Sequence, residues 1–293
     1  MRKYFWAAVL LAVVLCFIWP TPGFFIKPFL VYILMIIMTL SGLKINLADL
    51  KQAPKMWRQY LLVLCLIFIL PSLFIFLFKS ALDKEIYVGL ILAAAAPAAV
   101  SVVAITQILG GESIKALVVT TMTHLLSPLM IPFLVLIFAR QSVAVDFWAM
   151  LIYIAKIVLI PLFVAQVIRY FKWHEFLGKL SANTNTILLM LLIWGIIAPA
   201  RDLVWHNKGQ VILAAGIVLL LLIVEIVLSV WLGRTKREDV TWVVVDIYKN
   251  FTISSLIALQ MFGPLAVLGS VVFSVFDNLI IVPVQWWAKR GRN

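Results

Sequence analysis

Cysteine, histidine and charge are all scarce in this chain, and each scarcity removes a class of function. Two cysteines, Cys16 and Cys65, both lie in apolar stretches, which rules out a disulfide framework and a cysteine-based metal site. The three histidines, at 124, 174 and 206, have no metal-ligand spacing, and no glycine-rich phosphate loop or aspartate-rich diphosphate pair occurs. ATP-driven transport by this chain alone and a resident cofactor are therefore not expected. Charged residues are 12% of the 293, against 65% hydrophobic, and the mean hydropathy is +1.14. A soluble domain of this length does not have that composition. The chain reads as an all-α polytopic membrane protein whose surroundings are a lipid bilayer.

Apolar segments near 4–19, 29–45, 60–79, 87–108, 114–138, 148–170, 186–200, 210–233, 240–261 and 264–287 approach or exceed the roughly 20 residues of a spanning helix. This predicts ten transmembrane helices. The start, Met1-Arg-Lys followed by Tyr4 to Phe17, has the basic end and short apolar run of a signal peptide. The Ile-Trp-Pro-Thr-Pro that follows lacks the small-residue cleavage pattern, so it is read as the first span.

With the chain starting inside, Arg2, Lys3, Lys44, Lys51, Lys55, Arg58, Lys115, Arg169, Lys172, Lys179, Arg234, Lys236, Arg237, Lys289, Arg290 and Arg292 fall on one face, 16 of the 24 Lys and Arg. Lys27, Lys79, Lys84, Arg140, Arg201 and Lys208 fall on the other, and Lys156 and Lys249 inside spans. The asymmetry places both termini in the cytoplasm. The formal charge of +12 is thus spread over short loops as topology determinants; no continuous basic patch with interleaved aromatics points to nucleic acid. Trp6, Trp19, Trp57, Trp148, Trp173, Trp242, Trp286 and Trp287 lie near segment ends, as interfacial anchors do.

Two segments are interrupted at matching places, by Pro97 in Ala93-Ala-Ala-Ala-Pro97-Ala98 and by Asp246-Ile-Tyr-Lys249-Asn250-Phe-Thr252. Broken helices at membrane depth survive only where protein or a polar cavity satisfies the freed backbone, and paired breaks in two repeats mark a transporter's substrate site. A weak internal repeat supports the pairing. Thr106-Gln107-Ile-Leu-Gly110 resembles Leu259-Gln260-Met-Phe-Gly263, an offset that carries Pro97 onto Asn250. Leu125-Leu-Ser-Pro-Leu-Met-Ile-Pro132 likewise resembles Phe276-Asp-Asn-Leu-Ile-Ile-Val-Pro283. Spans four and five matching nine and ten predicts two five-helix repeats, residues 1–138 and 148–287, the second inverted because each holds an odd number of spans.

At these residues the chain resembles the bile acid:sodium symporter family over most of its length. Lys27-Pro-Phe-Leu through Met38-Thr-Leu-Ser-Gly42-Leu-Lys-Ile and Asp49-Leu is similar to that family's second span and its exit. Gly89-Leu-Ile-Leu to Pro97 and on to Leu-Leu-Ser-Pro128 is similar to its fourth and fifth spans. Lys249-Asn250, Leu-Ile-Ala-Leu-Gln-Met-Phe-Gly-Pro264 and Phe-Ser-Val-Phe-Asp-Asn278 are similar to its ninth and tenth. The resemblance implies a panel and a core domain built from both repeats, with spans four and nine unwinding and crossing. It also implies sodium coupling, yet where sodium-coupled members carry Gly-Gly and then Ser or Thr with Asn after the fourth-span proline, supplying oxygen ligands, the corresponding residues here are Ala98, Ala99, Val102 and Val103. The family's ninth-span acidic position is Val245, with Asp246 beside it. Methyl groups do not coordinate sodium.

A lysine ammonium can take the place of a hard cation, and a buried lysine can also carry a proton. Asp246 and Lys249, three apart, share a helical face and are expected to pair if the helix persists. Thr120, Thr123, His124 and Ser127 form a polar stripe at helical spacing, able to hydrogen-bond a substrate or ion or simply the helix's own backbone. Lys156, Glu225 and Asp277 complete the intramembrane ionisable set, and its surplus acid must face water, bind a cation or be protonated.

The sequence thus predicts a secondary transporter for a small organic, anionic solute. Pro97, Ala98, Lys249, Asn250 and Thr252 are its expected substrate-binding residues, and Asp246, Lys249, Thr120, Thr123 and His124 those for ion or proton coupling. A proton-coupled or uncoupled carrier on the same fold is the alternative. An intramembrane enzyme or lipid-handling scaffold is the alternative of another class, although no nucleophile–base or metal constellation assembles. Reporter fusions at residues 1 and 293 are expected to report the cytoplasm at both ends; opposite faces would refute the even span count.

Overall fold

The structure is a computed structural model that describes residues 14–16, 18–45 and 57–290. Most of the predicted first segment, together with Asp49, Lys51, Lys55 and Trp6, lies outside the described residues. Within them, regular structure is helical apart from one isolated antiparallel bridge.

Helix α1 (Thr21–Ile26) continues through a tight turn at Lys27–Phe29 into α2 (Leu30–Gly42). Helix α3 (Trp57–Phe76) precedes α4 (Lys84–Ala94), α5 (Val102–Leu109) and α6 (Ser113–Ala139). The second half holds α7 (Phe147–Tyr170), α8 (His174–Ile197), α9 (Arg201–His206), α10 (Lys208–Leu232), α11 (Lys236–Ile247), α12 (Phe251–Ile257) with a wider π-turn over Ala258–Phe262, and α13 (Val267–Arg290). Seven stretches among the described residues are long and apolar enough to cross a membrane. The predicted segments 87–108 and 240–261 are not continuous helices: each is divided, α4 from α5 and α11 from α12. The predicted segment 186–200 falls within the longer apolar stretch Thr184–His206, which continues through a tight turn at Ala198–Ala200 into α9, while α8 itself begins earlier, at His174.

The helices pack in two sets. Helix α2 lies against α7 and α8, and α1 against α8. In the other set α13 packs on α4, α10 and α12, α11 on α10, and α6 on α3, α4 and α5. Contacts of α6 with α7 and of α12 with α2 and α8 join them. Hydrogen bonds tie the helix ends together at two places. At one end Glu238 meets Lys115, Gln59 Nε2 (3.2 Å) and the Arg234 N–H (2.9 Å), while the Glu112 N–H donates to Thr241 Oγ1 (2.7 Å). At the other, Lys79 Nζ donates to Gln141 Oε1 (2.6 Å) and the Asp83 N–H to Gln210 Oε1 (3.0 Å).

Two side-chain expectations are corrected. Trp242 is no interfacial anchor: it is fully buried, edge-on to Tyr60 with ring centroids 6.3 Å apart. Trp19, Trp57, Trp148, Trp173 and Trp286 are exposed as anchors should be. Lys156 is not interior either; it sits on the exposed face of α7, where its long stem can carry the ammonium towards the interface.

Gly89 on α4 and Gly269 on α13 let the two backbones come into direct contact. A Cβ on Gly89 would strike the Ala266 carbonyl, and one on Gly269 the backbone of Gly89 and Leu90. Small residues at such crossings let backbones touch. Gly89→Ala and Gly269→Ala should each cost about 1–3 kcal/mol through overpacking, read as lower unfolding temperatures in detergent. Gly216→Ala, which meets nothing within 4 Å, should cost nothing; equal losses at all three would refute this account.

Candidate functional site

The two interruptions meet. Pro97 lacks an N–H and disfavours helical geometry at the residue before it, so α4 stops at Ala94. On the other side α11 stops at Ile247, where Tyr248 turns to φ −87°, ψ 92°. The freed segments run antiparallel with Ala98 opposite Lys249. The Asn250 N–H donates to the Pro97 carbonyl (2.7 Å) and the Ala99 N–H to that of Tyr248 (2.8 Å). Backbone groups that water cannot reach thus satisfy one another. The Ala98 N–H donates to Thr123 Oγ1 (3.3 Å), which places the middle of the polar stripe at this joint.

Two further carbonyls lack their helical partners. Ala94 would accept from residue 98 in a continuous helix, but that N–H is on Thr123. Ile67 would accept from residue 71, which is Pro71 inside α3 and has no N–H to give. Both receive the Lys249 ammonium, each at 2.8 Å. Its ion partner is Glu225 on α10, at 3.5 Å. The expected Asp246–Lys249 pair is therefore corrected: the helix ends between the two, so their shared face does not exist. Asp246 instead accepts from Ser229 Oγ (2.9 Å), one turn beyond Glu225. Sequence reasoning named Glu225 only as a surplus acid and missed Ile67 and Ser229. Pro71 was the signal for Ile67; nothing local marks Glu225 as the partner.

The remaining expected residues divide by burial. Pro97 and Ala98 are buried in the joint, and what they supply is the break itself. Asn250 and Thr252 are half-buried: Thr252 Oγ1 donates to Asn250 Oδ1, whose amide faces Met38 Sδ on α2 (3.6 Å). His124 is buried with Nδ1 on the Thr120 carbonyl (2.8 Å), and Ser127 Oγ donates to the His124 carbonyl (2.9 Å). Ser127 Oγ and His124 Nδ1 are thus satisfied by their own helix, while Thr120 Oγ1 and His124 Nε2 meet no partner among the described residues. Val102 and Val245 are fully buried and bring only methyl groups, so the side chains at these positions do not fit a sodium ion.

The half-helices differ in their surroundings. Helix α12 reaches α2 and α8 of the other set, whereas α5 packs on α6, α11 and α13. Ser101, Ala104, Gln107 and Ile108 are exposed along α5. A face lined by a hydroxyl and an amide is thus open beside one half-helix, and its counterpart is covered.

Comparison with known proteins finds membrane transporters. The profile of the SBF-like CPA transporter family (DUF4137) matches residues 3–286. An uncharacterized sodium-dependent transporter of Bacillus subtilis (strain 168), YocS, is 25% identical over 293 residues, covering 96% of this chain and 90% of its own. A probable sodium/metabolite cotransporter of Arabidopsis thaliana, the chloroplastic BASS4, is 28% identical over 285 residues; the match covers 88% of this chain and 65% of that longer protein.

Removing one partner of a buried ion pair typically costs about 3–5 kcal/mol, because the other charge is left uncompensated. Lys249→Met should therefore lower the unfolding temperature sharply. Adding Glu225→Gln should recover most of the loss, and adding Asp246→Asn should not. Rescue by the Asp246 change alone would show that the pairing is wrong.

Proposed function

The chain belongs to the SBF-like CPA transporter family, and on that premise we propose that this multi-pass membrane protein is a secondary active transporter of a small organic, anionic solute. The observation that carries the proposal is the backbone pairing of two broken helices at residues 97–99 and 248–250. It gives an alternating-access carrier a fixed centre with polar groups on either side. On this reading ten spans are the first apolar segment, the seven continuous stretches and the two divided ones, arranged as two inverted repeats of five. The N-terminal ends of α5 and α12 carry partial positive charge at the joint, which favours an acidic substrate group. Asn250, Thr252, Ser101 and Gln107 are the accessible hydrogen-bonding side chains nearby. Lys249, only 3% exposed, acts from behind them by holding the joint together. The open face of α5 gives access from the side where α11 begins, which the charge distribution makes the cytoplasm.

The relatives' names bring sodium dependence into consideration, while the joint favours another reading. The Lys249 ammonium occupies the two free carbonyls, and Val102, Val103 and Val245 supply no oxygen from their side chains. A tethered cation in this position makes the cycle independent of sodium there and leaves a proton as the coupling ion.

A ligand-stabilisation screen over organic acids, followed by counterflow in proteoliposomes, tests the proposal. Saturable exchange of at least one acid is expected, and failure of every acid both to stabilise and to exchange would overturn it. Unfolding temperatures in sodium and potassium chloride of equal ionic strength should agree; a saturable, sodium-specific rise would restore sodium coupling.

A further inference from the structure

Away from the joint, α2 and α7 frame a groove of about 300 Å³, lined by Tyr32, Ile36 and Leu40 on one side and by Ile160, Pro161 and Val164 on the other. The two helices meet just past one end of it. There a Cβ on Gly42 would stand 3.0 Å from Ala165 Cβ, Arg169 Nη1 donates to the Leu43 carbonyl (2.7 Å) and Gln166 Nε2 to that of Ile45 (3.0 Å). Both helices therefore advance in the same direction. Thr39, also in the lining, spends its hydroxyl on the Met35 carbonyl (2.9 Å), and Tyr32 at the far end is the only other oxygen-bearing side chain there. Phe29 and Ile36 of α2 and Ile160, Phe163, Val164 and Val167 of α7 are exposed around it. A contiguous apolar face of this kind on a membrane protein meets acyl chains.

Charge gives the groove a direction. Past the meeting point Lys44 and Lys172 are exposed and Arg169 is half-buried. The Arg169–Leu43 bond and the Lys172 N–H on the Arg169 carbonyl (2.9 Å) hold the three on neighbouring turns. Among the described residues no carboxylate, Glu175 at the start of α8 included, pairs with any of them. The opposite end has one cation, Lys27, and an acid, Asp146, which caps α7 through the Ala149 N–H (2.9 Å). Tyr32 to Leu40 covers about 12 Å of helix, close to the roughly 15 Å depth of one leaflet's hydrocarbon. Lys44 follows one turn later.

We infer that this groove binds one anionic phospholipid, an acyl chain lying along Tyr32–Leu40 and the phosphate held by Lys44, Arg169 and Lys172. A zwitterionic lipid would leave the surplus of positive charge unmatched. A second copy of this chain in the same orientation would set its own three cations against these across a two-fold contact. The site stands whether or not the chain moves an organic acid, since its lining offers such a solute no polar partner between Ile36 and the meeting point.

Native mass spectrometry and unfolding temperatures of the purified full-length chain in detergent, titrated with dioleoyl phosphatidylglycerol or dioleoyl phosphatidylcholine, test it. One phosphatidylglycerol should stay bound and raise the unfolding temperature saturably, with phosphatidylcholine far weaker. A basic residue near an anionic lipid surface is worth about fivefold, so Lys44→Gln with Lys172→Asn should weaken phosphatidylglycerol roughly twenty-five-fold and leave phosphatidylcholine unchanged. Asparagine suits the φ of 61° at Lys172, and Arg169 is kept because it fastens the end of α2. Val164→Trp, which fills the groove, should abolish the retained lipid at an unchanged lipid-free unfolding temperature, and Ile36→Trp repeats the test from the other wall. Should both tryptophan variants misfold, the charge variant and the two lipids decide. Equal binding of the two lipids, or phosphatidylglycerol binding that the charge variant or a folded tryptophan variant leaves intact, overturns the inference and leaves annular lipid only. A dimer without retained lipid that Val164→Trp splits would overturn it in favour of a second copy.

Discussion

Two carbonyl oxygens without helical donors, and the one ammonium that reaches both, are what the crossing depends on. A buried backbone acceptor left unpaired costs about 1–3 kcal/mol, and a hydrogen bond to a charged group contributes about 1.5–3 kcal/mol. Placing a lysine at membrane depth costs roughly 2.5–3.5 kcal/mol on insertion scales. Two charge-assisted bonds and a nearby carboxylate are of the size needed to offset that cost. The lysine would not be tolerated without Pro71 and Pro97, which free the acceptors, and the acceptors would remain unpaired without the lysine. Glu225 belongs to the same dependency, because it has the ammonium as its only nearby countercharge among the described residues.

Helix positions were largely legible, since lipid-length apolar runs follow directly from the cost of exposing peptide groups to hydrocarbon. The meeting of residues 97 and 250 was legible too, from Pro97 and a repeat offset that aligned it with Asn250. The charge partner was not. Pairing Lys249 with Asp246 assumed that the helical period continues through 249, and the backbone leaves that period at Tyr248. Glu225 stands in the most apolar long helix among the described residues, where no local pattern points 24 residues onward to its partner. Trp242 and Lys156 misled for a related reason: distance from a segment end was read as depth, whereas burial depends on which way a helix face turns. The roles of Thr120 and His124 stay a matter of chemistry, for a hydroxyl and an imidazole in a helix have their own carbonyls within reach.

The packing also restricts where relative motion can occur. Helices α4 and α13 touch backbone to backbone at Gly89 and Gly269, and Glu238 gathers donors from α3, α6 and the turn before α11. A set fastened at both places moves as one piece. The α6–α7 contact and the approach of α12 to α2 and α8 are where the two sets meet.

The bridge between Ala98 and Lys249 joins residues 151 apart (249 − 98). A ribosome adding about 5–20 residues per second needs roughly 8 to 30 s for that length. During this interval the first break has been made and its partner has not, so Pro97 and Ala99 offer polar backbone with no mate in the chain. The nascent α4–α5 segment must therefore be held by water, by lipid headgroups or by the insertion machinery until α11 and α12 emerge. Membrane insertion of this chain thus has an order built into it, with the first half remaining incomplete until the second is synthesised.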